Sequence, residues 1–142
     1  GWTVGCDPGH AGPVMPQIAS RMAGLIATRR RLYESGAVLV PGSDAGVTPA
    51  KPHDVLPFAP GEMAAAGLSP AEILRAMTSR GAQACGLGHR KGRIAPGFDA
   101  DILVIGGNPL DDLAAIRRLR AVYAGGRAVL PALGSQVGIE VP

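Results

Sequence analysis

Apolar residues Ile18, Met22, Leu25, Ile26, Leu32 and Tyr33 recur at three- and four-residue intervals. That spacing predicts a helix over residues 15–35, with its apolar stripe packed on a sheet and the arginines largely opposite. Gly36 fits the left-handed position that ends a helix. Four apolar residues, 37–40, then run without a polar interruption, a pattern that suits a short strand covered on both faces. Pro41 and Gly42 close this strand and leave Ser43 and Asp44 at its C-terminal end. A loop follows Gly46, with Pro49, Pro52, Pro57 and Pro60, and it also holds His53.

The second half of the chain has a different rhythm. A short helix is expected over residues 61–66, ending at Gly67. The next one starts with Ser69 as N-cap, Pro70 in the first helical position and Glu72 three residues after the cap, which together make a capping box. Ile73, Leu74 and Met77 give this helix a buried side, and it is expected to run to about Cys85, before Gly86-Leu87-Gly88. From Lys91 onward the pattern changes to short strands and turns. Residues 102–105 read as a strand, 109–116 as a helical turn, and 121–124 with 127–130 as a hairpin, for which Gly125-Gly126 suits a two-residue primed turn. Residues 1–16 read as loop and residues 131–142 carry no pattern. The class is α/β.

Composition narrows the functional classes. Of 142 residues, 46% are apolar and 18% charged, with 21 glycines and 13 prolines, which fits a globular α/β protein with many tight turns. The net charge of +3 comes partly from Arg29, Arg30 and Arg31 and partly from Arg117, Arg118 and Arg120. These read as solvated helix faces, so no nucleic-acid partner is expected. No run approaches the roughly 18 apolar residues of a membrane span, and no leader-like pattern opens the chain. The expectation is no membrane and a cytoplasmic setting. Cys6 and Cys85 lack zinc-knuckle spacing and read as two thiols, with a single disulfide between them left open.

Candidate chemistry centres on Asp44. Strand C-termini are where open α/β sheets and (β/α) barrels place reacting groups, although an Asp after Gly-Ser also serves as a simple turn or N-cap acceptor. His10, His53 and His89 have no spacing that brings two together on one face. Ser43 lacks the flanking glycines of a serine-hydrolase elbow. Gly86 and Gly88 are followed by Lys91 instead of a third glycine, and they come after a helix, which removes a nucleotide site.

Taken in order, Gly42-Ser43-Asp44-Ala45-Gly46, the stretch from Ala66 to Leu74, the stretch from Gly92 to Val104, Asn108-Pro109-Leu110 and Gly125-Gly126-Arg127 resemble the metal-dependent amidohydrolase superfamily, most closely its imidazolonepropionase-like branch. The resemblance covers residues 29–130 and implies the C-terminal piece of a (β/α)8 TIM barrel in residues 1–90. Residues 91–142 would be the C-terminal half of the family's small β-sandwich. A complete barrel takes about 250 residues, so the chain is expected to be part of a longer enzyme. That enzyme would hydrolyse C–N bonds of small amides, cyclic amides or dipeptide-like substrates with metal-activated water.

The resemblance makes Asp44 a ligand of a divalent metal, zinc in the first instance, and the group that moves the proton. It makes His53 a residue bordering the substrate, whereas its place in a proline-rich loop reads by itself as a solvated loop histidine. The family's other ligands, a His-x-His pair, often a carboxylated Lys and two further His, come from earlier strands, so this chain alone is expected to be metal-free and inactive. The alternative is a non-catalytic module that folds by pairing with a second copy or with a separate N-terminal chain.

Overall fold

Helix α1, Met15–Glu34, forms where the three- and four-residue apolar spacing predicts it. A computed structural model of the chain describes residues 15–43, 45 and 54–129. Of the loop read over residues 1–16, the last two residues, Met15 and Pro16, open α1 instead, and the rest, with Cys6 and His10, lies outside the described residues, as do residues 130–142 and the side chains of Ile18 and Met22. Two compact units divide the chain, Gly1–Met77 and Thr78–Pro142. No helix among the described residues is long and apolar enough to cross a membrane.

In the first unit α1 ends as its glycine requires. Gly36 sits at φ +88, its N–H donates to the Tyr33 carbonyl at 2.9 Å, and the Ala37 N–H donates to the Leu32 carbonyl at 3.0 Å. This pair of bonds is the Schellman closure, which gives otherwise orphaned helix carbonyls a partner. A 3₁₀ turn, Leu56–Phe58, leads into helix α2, Ala59–Ala65, two residues earlier than the pattern suggested. Helix α3, Pro70–Met77, opens with the expected capping box: the Ser69 N–H donates to Glu72 Oε2 at 3.0 Å, and the Glu72 N–H donates to Ser69 Oγ at 3.4 Å.

Among the described residues of this unit, Val55, Ala59, Pro60, Met63, Ala66, Leu68, Ile73 and Ala76 are buried. None of them belongs to α1. Its Leu25 and Leu32 are exposed, so the expectation that the α1 stripe packs on a sheet is corrected, and the first unit holds no strand among its described residues. Long polar side chains hold α1 instead. Arg29 Nη1 donates to Glu62 Oε2 at 2.8 Å, Arg30 Nη2 to the Ala65 carbonyl at 2.9 Å, and the Tyr33 hydroxyl to Glu72 Oε1 at 2.7 Å. Arg29 is therefore a half-buried structural cation, while Arg30 makes its bond from an exposed position, as the solvated-face reading expects.

Residues 37–40 also depart from expectation. They form no regular element, and Val38 is 66% and Val40 39% exposed, in place of a strand covered on both faces. A strand exists only by its ladder of hydrogen bonds to a neighbour, and no neighbouring strand is present among the described residues of this unit.

The second unit begins with a break that the sequence pattern missed. Thr78, at φ −122 and ψ −93, leaves the helical region, so the helix expected to reach Cys85 is two: α3, and α4 over Ser79–Ala84. Backbone crowds this break. A Cβ added to Gly92, at φ +87, would come within 2.8 Å of the Ala82 Cβ, the Ser79 Cα and the Thr78 carbonyl oxygen. Gly92→Ala combines that collision with a left-handed backbone and is expected to cost about 1–3 kcal/mol. The check is the urea midpoint, and an unchanged midpoint would mean that the Gly92 turn does not lie against residues 78–82.

Strands β1, Ile102–Ile105, β2, Leu119–Ala124, and β3, Arg127–Ala128, make an antiparallel sheet in the order β1-β2-β3. Ile102 pairs with Tyr123 and Leu103 with Val122, and the register shifts between Val104 and Ile105. Gly125 and Gly126, at φ +56 and +79, supply the two positive-φ residues of the primed hairpin turn. Between β1 and β2 a 3₁₀ turn, Leu113–Arg117, replaces the broader helical turn expected at 109–116 and buries Ala115 and Ile116. The second arginine cluster is also reassigned. Arg118 Nη2 donates to Asp112 Oδ2 at 2.8 Å and Arg118 Nε to the Gly106 carbonyl at 2.8 Å, while Arg120 lies in β2, so these are not one helix face.

Candidate functional site

The segment that carries Asp44 leaves α1 at Gly36 and reaches Pro41, Gly42 and Ser43. Beyond Ser43 the chain turns: the Ala45 N–H donates to Ser43 Oγ at 3.4 Å, the two-residue span of a serine turn. Asp44 sits between these two residues in sequence, and both Asp44 and His53 lie outside the described residues. The elements on either side are described. The Arg29–Glu62 pair and the Tyr33–Glu72 hydrogen bond tie the helix before this segment to the two helices after it.

Among the described residues no group of three or more His, Cys, Asp or Glu could hold a metal ion. His89 and Cys85 are exposed. The described residues therefore do not by themselves fit the divalent metal implied by the sequence resemblance.

Charged groups do converge in the second unit, around Lys91, Asp99 and Asp101. Lys91 Nζ lies 3.0 Å from Asp99 Oδ2 and also donates to Asp101 Oδ2. Arg90 Nη2 lies 2.8 Å from the same Asp99 oxygen. The other Asp101 oxygen, Oδ1, accepts the Gly125 N–H at 2.8 Å, and the Gly126 N–H donates to the Ala100 carbonyl at 3.0 Å. This network joins the turn at 90–91 to the hairpin tip. Lys91 and Asp99 were not singled out in the sequence, although the Asp-x-Asp spacing before a strand is the signal that puts two carboxylates on one side.

The network sets a pH dependence. Lys91, then Arg90, holds the Asp99 carboxyl below its ordinary 3.8. For Asp101 the causes are Lys91 and then the Gly125 N–H. Asp101, then Asp99, raises the Lys91 ammonium above 10.5. Depressed carboxylates stabilise the fold fully above their unfolded values, and that stability is lost as pH falls through the folded ones. The raised ammonium contributes below its unfolded value and loses its contribution as pH rises through the folded one. The cluster's stabilisation is therefore expected to be level between about pH 4 and 10 and to decline on either side. Urea midpoints against pH test this with the double variant Asp99→Asn, Asp101→Asn, whose acid decline should be shallower. Asp112, lowered by Arg118 and the Ala114 N–H, keeps its own share of that decline. Equal acid slopes in variant and parent would remove the role given to Asp99 and Asp101.

Comparison with known proteins gives this geometry a relative. A family model described as the amidohydrolase family matches residues 19–129. No curated protein sequence matches the chain. Among solved structures, a candidate prolidase from Bifidobacterium longum is 30% identical with a TM-score of 0.73, over 91% of this chain and 32% of that one. Molinate hydrolase is 26% identical with a TM-score of 0.65, over 71% and 25%. A Xaa-Pro dipeptidase with bound methionine shares the fold at a TM-score of 0.70 and 24% identity, over 80% and 27%. The chain thus spans between 25% and 32% of the length of these structures. Because the family match takes in most of α1, the turn at Ser43 and Ala45, and the whole three-stranded sheet, this chain belongs to the amidohydrolase family.

Proposed function

We propose that this chain is the C-terminal part of an amidohydrolase that hydrolyses C–N bonds of small amides, cyclic amides or dipeptide-like substrates. In this reading residues 1–90 are the end of a (β/α)8 barrel and residues 91–142 the C-terminal half of a small β-sandwich. The observation that carries it is the family match over residues 19–129, made by a chain that spans between 25% and 32% of the hydrolase structures it resembles. Surface character supports it. Leu103 and Val129 are exposed on one face of the sheet and Val104 and Tyr123 on the other, and a sheet with apolar residues on both faces is suited to covering on both.

The complete enzyme would hold a divalent metal, zinc in this reading, to supply an activated water. Asp44 is this chain's contribution: its carboxylate would ligate the metal and move a proton between the attacking water and the leaving nitrogen. His53 would border the substrate. Catalytic zinc takes about three protein ligands, so one carboxylate is not a site, and the chain alone is read as inactive. The remaining ligands would come from earlier in the same protein or, alternatively, from a second copy or a separate N-terminal chain. Placement in the imidazolonepropionase-like branch rests on the motifs between Gly42 and Arg127, and the setting proposed is cytoplasmic.

Elemental analysis and hydrolysis of a panel of small amides test the reading on this chain and on a longer protein that contains it. The longer protein is expected to hold metal and hydrolyse an amide, and this chain to do neither. Stoichiometric metal in this chain would mean that association completes the site. A longer protein without metal or amide hydrolysis would overturn the proposal.

A further inference from the structure

We draw no further inference here: the strongest candidate, the pair of half-exposed apolar faces on the three-stranded sheet of the second unit, carries nothing, because nothing in the structure shows what covers them.

Discussion

Ile73→Ala is expected to remove about 2–5 kcal/mol of unfolding free energy, the range for truncating a large aliphatic side chain in a packed core. Ile73 is wholly buried in α3, and it is the largest wholly buried side chain among the described residues. Several of its buried companions in the first unit are alanines, Ala59, Ala66 and Ala76, which have no spare volume with which to fill a cavity. The change therefore adds a void to the loss of apolar transfer energy. Whole domains are stable by only about 5–15 kcal/mol, so the variant should show a large drop in urea midpoint. Ile73→Val, which deletes one methylene, should cost only about 0.5–1.5 kcal/mol. A graded series, parent above Val above Ala, is the expected result. An Ala variant with the parent's midpoint would mean that α2 and α3 do not close over Ile73.

What could be read from the sequence was what neighbouring residues decide among themselves. The Ser69–Glu72 capping box, the Gly36 helix end and the Gly125-Gly126 turn each depend on a few adjacent residues, and each forms as its residue types require. Residues 37–40 failed for the opposite reason: their apolar run specifies burial, but a strand also needs a partner, and no local pattern supplies one. Thr78 broke a helix that periodicity carried through to Cys85, at the place where the Gly92 turn crowds the backbone. Arg29 and Arg118 were misread in the same way. Arg29 is next to Glu62 only after α1 and α2 fold, 33 residues apart in sequence, and Arg118 closes on Asp112 and Gly106 across the 3₁₀ turn. Of the candidate site, the family was legible, while the hydrogen bond from the Ala45 N–H to Ser43 Oγ beside Asp44 was not read from the sequence. Nor was the Lys91, Asp99 and Asp101 network, since its three charges meet through a turn and a strand start.

Asp44→Asn, made in a longer protein that contains this chain, is expected to lower kcat by about 10²–10⁴-fold, the usual contribution of a positioned acid or base. Asparagine suits the test because it has nearly the same shape and keeps an oxygen for turn hydrogen bonds, while it can neither gain nor lose the catalytic proton. The two readings of Asp44 therefore separate. If the residue is only a turn acceptor beside the Ser43–Ala45 bond, kcat should be within a few-fold of the parent and the proposed role fails. If it moves the proton, kcat should fall while the thermal midpoint stays put, and the acid limb of the pH–rate profile assigned to its carboxylate should disappear. KM adds a further distinction. A group that acts only in the transition state lowers kcat and kcat/KM together, whereas one that only binds substrate raises KM and leaves kcat alone. The second pattern is the one expected for His53→Ala, so the two variants together divide proton transfer from substrate contact. Metal content measured on the Asp44→Asn protein completes the argument: metal retained with kcat lost isolates the proton-transfer role, and metal lost with kcat assigns Asp44 to the ligand set as well.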